Sequence, residues 1–508
     1  MSRRSCKIIL TALIIGYVAF FGTLTALRHA NFQTQTWDLG IFQQTFWNTV
    51  HGRIMQNNLE EAPNHLGVHM SPFLFLLVPG FALFQNPYYL LAIQTLALAL
   101  GAIPAYFLAL RILQNQRVAL FFASAYLLYP ALHWVNWFDF HEIAFFIPLS
   151  LAALYFIEMR RWEWAWVFLV LAASTKEDAI LAVAAIGLWL LVKKPASVNP
   201  KDYSLANLST VYPPKGLPFG WIRRFFAYPE RRHGVALLVV MLAYFVVATQ
   251  FIMPALGGGL LRLDRYSDLG TNFPDIVKNL LLYPSRGLSV LFTTEKLMYV
   301  FWLLVPFAFL PLFAWKSFIF LALPGILENT LTSYAPQFSG TFQYDAILIG
   351  GLFAGMLYAV RDLVRRFPRI IPWIFYGIGI TIVIGFLARS PIRPSLFPVS
   401  FFQSDPHVQT FRSIARAIPD TATVAAPTSL VPHLAHRQHI YMLETEPFLV
   451  DQKPFKPDIV IVDGADLFGF YTPENLQRYA DSYAESGLYD ITIIDERYFI
   501  FTRKDFTQ

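Results

Sequence analysis

Apolar stretches of near-spanning length recur along the chain, at about 8–27, 88–110, 118–132, 143–158, 164–175, 179–192, 235–253, 297–314, 317–331, 345–360 and 370–388. Several are short enough to need tilting or bending if they are to cross a hydrocarbon layer of about 30 Å. Between the first two runs the pattern changes. Over TWDLGIFQQTFWNTVHGR, residues 36–53, Ile41, Phe42, Thr45, Phe46 and Val50 share one helical face, with Gln43, Gln44, Asn48 and His51 turned the other way. The stretch PFLFLLVPGFALF, residues 72–84, is apolar but too short to span comfortably. Segments 40–53 and 72–84 are therefore predicted as helices lying at the membrane interface. They belong to a loop, residues 28–87, that is opened by Asp38 and returns to the bilayer near Asn86-Pro87.

From Arg389 onward the periodicity is that of a soluble domain. Pro391, Pro394, Pro398 and Pro406 make a linker, and strand-like runs follow at 421–427 (TATVAAP) and 457–463 (PDIVIVD). A helical segment around 474–486 precedes YDITIIDERYFIFTR at 489–503, which reads as two short strands and a turn. The predicted architecture is mainly α: a polytopic transmembrane bundle of about eleven spans over 1–388, external juxtamembrane helices, and a small α/β soluble domain over 389–508. The segment 193–234, with its prolines and the pair Arg223-Arg224, reads as the largest cytoplasmic loop.

Composition agrees with the membrane reading. The 508 residues are 56% hydrophobic and only 14% charged, against about 25% charged in a soluble domain; mean hydropathy is +0.47. The net charge of +6 forms no basic, aromatic-interleaved patch in a soluble module, so no nucleic-acid partner is expected. A single cysteine, Cys6, excludes an internal disulfide framework. Arg3, Arg4 and Lys7 precede the first apolar run. That run is long enough to span and no clean small-x-small cleavage site follows it, which favours an uncleaved first helix over a signal peptide. With the N-terminus in the cytoplasm and one crossing per run, twenty Lys and Arg fall inside and eight outside up to residue 388. The outer eight are Arg28, Arg53, Lys176, Arg262, Arg265, Lys278, Arg286 and Lys296. This is the expected cytoplasmic excess, and it places the C-terminal domain outside a cell membrane.

The same layout gathers polar groups at one face. The first loop contributes Asp38, Gln43, Asn64, His65 and His69. HWVNWFDFHE (133–142) contributes Asp139, His141 and Glu142. TKED (175–178) contributes Lys176, Glu177 and Asp178, and QFSGTFQYD (337–345) contributes Tyr344 and Asp345. Ionisable groups at membrane depth are costly and point to function, although each taken singly also reads as a helix cap or interfacial anchor. His65 and His69 have i, i+4 spacing and could hold a divalent metal ion, with Asp139, His141 or Glu142 completing the shell. No Gly-rich phosphate loop, Gly-x-Ser-x-Gly elbow or Cys/His zinc pattern is present. A carboxylate at the outer face suits proton abstraction from an acceptor hydroxyl. A sugar on a lipid phosphate is a natural donor there, with Lys176, Arg262 or Arg265 holding the phosphate.

WDLGIFQQTFWNTVHGR, HLGVHMSPFLFLL (65–77), FDFHE (138–142), TKEDAI (175–180) and SLVPHLAHRQHIYM (429–442) together resemble a bacterial and archaeal membrane family, domain of unknown function 2079. That family is more distantly similar to the GT-C fold of polytopic glycosyltransferases. The resemblance implies inverting transfer from a polyprenyl-phosphate sugar. It places Asp38 at the GT-C catalytic aspartate, sets His69-Met70-Ser71-Pro72-Phe73 against the His-Pro-Pro-Leu element, and puts Asp139 near a second acidic motif. Asp38 is followed by Leu-Gly rather than by a second acid, a departure from the GT-C pattern.

The reading is a GT-C-like glycosyltransferase. Asp38 is the base, with Asp139 and Glu142 as further catalytic candidates. His69, His141, Lys176, Glu177, Asp178, Arg262, Arg265 and Tyr344 are the substrate-binding candidates. The C-terminal domain is positioned to meet the acceptor. Two rivals remain: a transporter or flippase for a lipid-linked substrate, which would show mid-span ionisable residues and inverted repeats or broken helices, neither of which the sequence shows, and a non-catalytic sensor or scaffold. Glu328, in or near the end of a run, is explained by none of these.

Overall fold

A computed structural model describes residues 2–193 and 225–506, apart from 404, 445, 451, 452, 468 and 471. Most of the expected cytoplasmic loop, residues 194–224 including the Arg223-Arg224 pair, lies outside the described residues.

All eleven apolar runs fold as helix. Among the described residues, five helices are long and apolar enough to cross a membrane: Arg3–Ala30, Pro87–Leu113, Pro229–Ala255, Gln343–Arg366 and Pro368–Arg389. Three bent pairs raise the number to eight: Gln116–Leu127 with Pro130–Trp137 (45°), Pro284–Leu291 with Thr294–Phe307 (70°), and Leu310–Leu321 with Leu323–Thr330 (73°). The remaining three runs give the shorter helices Phe146–Glu158, Trp162–Ala173 and Glu177–Val192. With 13, 12 and 16 residues they rise only about 18–24 Å, short of a hydrocarbon layer of about 30 Å. The sequence reading, which saw no broken helices, is corrected here. Pro130 and Pro324 stand in the first turn of the second helix of their pairs, where a missing N–H costs nothing but continuation from the preceding residue is blocked. At the Leu321/Leu323 break the backbone presses against the helix Gln343–Arg366 so closely that a Cβ on Gly351 would collide with the Leu321 carbonyl. That helix is the bundle's axis: 78% of its apolar window is buried, against 17–50% in the other four.

One end of the bundle carries the Lys193–Glu158 and Arg160–Glu230 ion pairs. The other is capped by the loop after the first helix. There the chain forms a π-helical turn Thr36–Gly40, a helix Ile41–Val50, a single turn His65–Val68, a 3-10 segment Pro72–Leu76 and a helix Val78–Leu83. Leu39, Phe42, Phe46, Phe73, Phe81, Phe140 and Phe145 make a separate core beneath this layer. Phe75, Leu76, Leu83 and Phe84 remain exposed, as an interfacial apolar face requires. The polar face of Ile41–Val50 is not solvated, however. Gln43, Gln44 and Asn48 are buried, Gln43 and Gln44 against the C-terminal domain.

That domain folds around a five-stranded sheet in the order β2-β1-β5-β7-β6. Its strands are β1 (Val424–Ala426), β2 (Ile440–Met442), β5 (Ile459–Asp463), β6 (Tyr489–Ile494) and β7 (Tyr498–Arg503), while β3 (Leu449–Val450) and β4 (Lys453–Pro454) pair apart from it. β1 runs parallel to β2 and β5, and β5, β7 and β6 are antiparallel. The anticipated strands and the helix Pro473–Glu485 are present; the three-residue β2 and the turn of helix at Val431–Leu434 were too short to show a period. The domain is not a tethered appendage. Ile41 and Leu59 from the membrane loop belong to its core, and Asn58 donates to the Ile440 carbonyl and accepts from its N–H. A side chain thus completes the edge of β2, which would otherwise expose unpaired backbone.

Candidate functional site

A cavity of about 700 Å³ opens at the loop-capped end. Asp38 enters it from the π-helical turn, whose geometry is fixed from both sides. The Gln35 N–H donates to Asp139 Oδ2 at 2.8 Å, and the Thr36 N–H donates to Thr428 Oγ1 at 3.1 Å. Across the cavity wall, His141 Nε2 lies 2.6 Å from Asp38 Oδ1. His141 is itself positioned by Gln94, buried in the helix Pro87–Leu100, whose side chain accepts from the His141 N–H (2.7 Å) and donates to the Asp139 carbonyl (2.6 Å). Asp139 between them has φ +34°, a left-handed conformation that Asp tolerates better than most residues.

Asp139 does not reach the cavity. It is fully buried behind Asp38, ion-paired with Arg28 at the end of the first helix. Its place is structural: it ties the first helix, the Asp38 turn and the 138–142 segment together.

The cavity also holds cations, interspersed with the acids Glu60, Glu61, Glu142 and Asp264. Lys176, Arg262 and Arg265 all line the cavity. Burial alone would lower the Lys176 ammonium, but Asp178, Glu177 and Glu142 outweigh it and hold the pKa above its ordinary value. Arg262 forms a two-pronged pair with Glu61 at 2.6 and 3.0 Å, partly exposed. Arg265 stacks 4.1 Å from the Tyr334 ring centroid and donates to the Tyr344 hydroxyl at 3.3 Å. The segment bearing these arginines lies hard against the histidine loop. Gly259 N–H donates to the Gly67 carbonyl at 2.9 Å, and a Cβ on Gly258 would strike that carbonyl.

His65 and His69 do not form a helical i, i+4 pair. The helix is a single turn, His65–Val68, and His69 is already extended (φ −130°, ψ 119°). Each ring takes its own carboxylate: His65 Nδ1 lies 2.9 Å from Glu60, and His69 Nδ1 2.9 Å from Glu177. Burial pushes His65 down, but Glu60 and, further off, Glu142 and Glu177 outweigh it and raise its pKa. Burial, reinforced by Lys176, lowers His69 to about 3, so it is neutral. Among the described residues no three His, Cys, Asp or Glu side chains are grouped to hold a metal ion.

Of the anticipated site residues, Asp38, His65, His69, His141, Glu142, Lys176, Arg262, Arg265 and Tyr344 share the one cavity. Glu177 stands behind it, accepting from the Met70 N–H (2.9 Å) as well as bonding His69. Asp178, 3.6 Å from Lys176, borders a smaller adjoining cavity of about 90 Å³ together with Glu328. Glu60, Glu61 and Gln343 also line the main cavity and were missed. The adjacent acids Glu60-Glu61, four residues before His65 in a loop otherwise poor in charge, were the available signal.

A helical bundle with spanning helices and a polar, ionisable cavity at one end defines a polytopic membrane protein. The chain belongs to the DUF2079 family of predicted membrane proteins, whose sequence profile matches residues 28–496. No curated protein matches it. Among solved structures it is similar to ArnT from Cupriavidus metallidurans. The apo form is 12% identical, with 96% of this chain and 98% of that chain covered and a TM-score of 0.45. The form bound to undecaprenyl phosphate is 12% identical, with 98% of each chain covered and a TM-score of 0.42.

Proposed function

We propose that this protein is a membrane glycosyltransferase that moves a sugar from a polyprenyl-phosphate donor to an acceptor hydroxyl on the extracytoplasmic side. The observation that carries the reading is one cavity that holds both a His141-oriented Asp38 carboxylate and the cations Lys176, Arg262 and Arg265. The outward orientation rests on the excess of Lys and Arg at the other end. Asp38 accepts the acceptor's proton. The acceptor oxygen bonds to the sugar's anomeric carbon as the bond from that carbon to the phosphate oxygen breaks. The electron pair leaves with the polyprenyl phosphate, whose charge grows from one to two negatives. The three cations stabilise that growing charge more than the ground state, as catalysis requires. Attack from the face opposite the phosphate inverts the anomeric centre.

The test is transfer of labelled sugar from a polyprenyl-phosphate donor by the protein in nanodiscs, with native envelope material as acceptor. Asp38→Asn is expected to cut the rate about 10²–10⁴-fold, the usual contribution of a general base, while the donor still binds. Full transfer by the folded variant would remove Asp38 from this role.

One observation favours a second reading, a transporter for a lipid-linked substrate. Three spans are broken, and Glu328 lies on the second limb of one of them beside Asp178 and Lys176. Reconstitution into sealed vesicles separates the two: translocation without covalent transfer supports the transporter.

A further inference from the structure

We propose that Glu142, His65 and Gln343 form a subsite that reads the hydroxyls of a neutral sugar ring on the lipid-phosphate donor. The proposal rests on the glycosyltransferase reading and adds to it the chemical class of the transferred group.

Each of the three lines the main cavity. Each is more than nine-tenths buried, at 2%, 0% and 7% exposure respectively. Each carries a polar atom with no hydrogen-bond partner: Glu142 Oε2, His65 Nε2 and Gln343 Oε1. Buried polar atoms are almost always satisfied, so an orphan asks for an explanation. His141 Nδ1 is a fourth orphan lining the same cavity, and a ligand that supplies the missing partners explains them together.

Their chemistry selects the ligand. The Glu142 carboxylate and the Gln343 carbonyl accept hydrogen bonds only. His65 donates through Nδ1 to Glu60, which leaves Nε2 an acceptor in the neutral ring and a donor in the cation. A hydroxyl can serve all three, because it donates and accepts. A phosphate or carboxylate cannot, since it brings no proton to the two acceptors and is repelled by Glu142. The anionic part of the donor therefore belongs at Lys176, Arg262 and Arg265, and this subsite faces the sugar. An ammonium group is not called for either. Glu142 already shares the cavity with the cations Lys176, Arg262 and Arg265, so it needs no ammonium from the ligand beside it.

The subsite is tested by equilibrium binding to the full chain in nanodiscs, using defined lipids. The probes are undecaprenyl phosphate, its glucosyl, mannosyl and galactosyl derivatives, and the glucosaminyl and glucuronosyl lipids. The best neutral hexosyl lipid should bind at least tenfold tighter than undecaprenyl phosphate and tighter than the amino and acidic counterparts. Glu142→Gln and Gln343→Leu, each checked for an unchanged melting temperature, should bring that ratio close to one; Gln343→Leu should leave affinity for undecaprenyl phosphate within twofold, and Glu142→Gln, which removes a repelling charge, should not weaken it. Equal binding of glycosylated and bare lipid, preference for the amino or acidic sugar, or variants that keep the ratio would overturn the subsite while the donor reading stands. A folded protein that binds none of these lipids would refute the donor reading, and the subsite with it.

Discussion

Thr428, in the loop that follows β1 of the C-terminal domain, grips Thr36 in the membrane domain by two hydrogen bonds. Its hydroxyl accepts from the Thr36 N–H and its carbonyl accepts from the Thr36 hydroxyl, both at 3.1 Å and both buried. Thr36 stands two residues before Asp38. Four residues after Thr36, Gly40 packs against the Val431 side chain, leaving a Cβ there only 3.3 Å from Val431 Cγ1. The C-terminal domain thus forms part of the scaffold of the Asp38 turn.

Thr428→Val keeps the shape but removes the acceptor for the Thr36 N–H, and a buried donor left unsatisfied costs about 1–3 kcal/mol. Transfer should fall about tenfold, equivalent to ~1.4 kcal/mol at the barrier, with donor affinity nearly unchanged. Thr428→Ser, which retains the hydroxyl, should restore most of the rate. Comparison of kcat and KM for the two variants checks this. A drop in donor affinity alone would show that the domain acts on binding rather than on the Asp38 turn.

Arg28 and Asp139 make a prediction of a different kind. Removing one partner of a buried ion pair strands the other charge and costs about 3–5 kcal/mol, whereas replacing both by apolar groups is often tolerated. Asp139→Ala should therefore lower the melting temperature sharply, and Arg28→Met with Asp139→Leu should recover a large part of the loss. The Gln35 N–H, deprived of its acceptor, prevents full recovery. Thermal unfolding in detergent measures both. A stable but inactive Asp139→Ala would instead return Asp139 to the chemistry.

The two cationic groups with the clearest pairing differ in setting, which ranks them. Lys176 has side-chain exposure of 12%, whereas the Arg262–Glu61 pair is exposed by 36% and 47%, and charge interactions weaken with solvent screening. Lys176→Met should weaken undecaprenyl phosphate binding by about tenfold or more, a loss of at least ~1.4 kcal/mol. Arg262→Ala should cost several-fold less and show the stronger salt dependence. Binding titrations at low and moderate ionic strength decide the order.

How much of this was legible in the sequence depends on the range of the interaction concerned. Asp38 and the later strands β5, β6 and β7 carry local signals: a charge breaking an apolar pattern, and runs of five or six residues rich in β-branched and aromatic side chains. The share-out of roles did not. Asp38, Asp139 and Glu142 look alike in sequence, yet one reaches the cavity from a π-helical turn, one is buried against Arg28, and one lines the wall with an unpartnered oxygen. Arg28 supplies that distinction from 111 residues away. Period alone cannot say what covers the polar face of Ile41–Val50. Gln44 in fact donates to the Gln438 carbonyl at 2.9 Å, 394 residues on. His65 and His69 had the spacing of a helical metal pair, but Pro63 and Pro72 closely flank them and only one turn forms.

The His65–Glu60 pair gives the loop that closes the cavity a defined pH range. The imidazole's pKa is raised because Glu60, aided by Glu142 and Glu177, outweighs the burial that would lower it. A raised histidine stabilises the fold fully below its unfolded value near 6.5, and that contribution is lost as pH climbs through the folded value. The Glu60 carboxyl is also buried, which alone would raise it. The coulombic and hydrogen-bonding action of His65, with Asn57, brings it below 4.5 instead. A depressed carboxyl stabilises above its unfolded value and fails as pH falls through the folded one. The pair is therefore complete between about pH 4.5 and 6.5, and it weakens on either side. Hydrogen-exchange protection over residues 54–68, corrected for the intrinsic pH dependence of amide exchange, should be highest in that window and fall towards pH 8 and below pH 4. In Glu60→Gln the alkaline limb should move to lower pH, because His65 loses the partner that raised it. Protection that is flat with pH across this segment, or identical in Glu60→Gln, would show that the pair does not hold the loop.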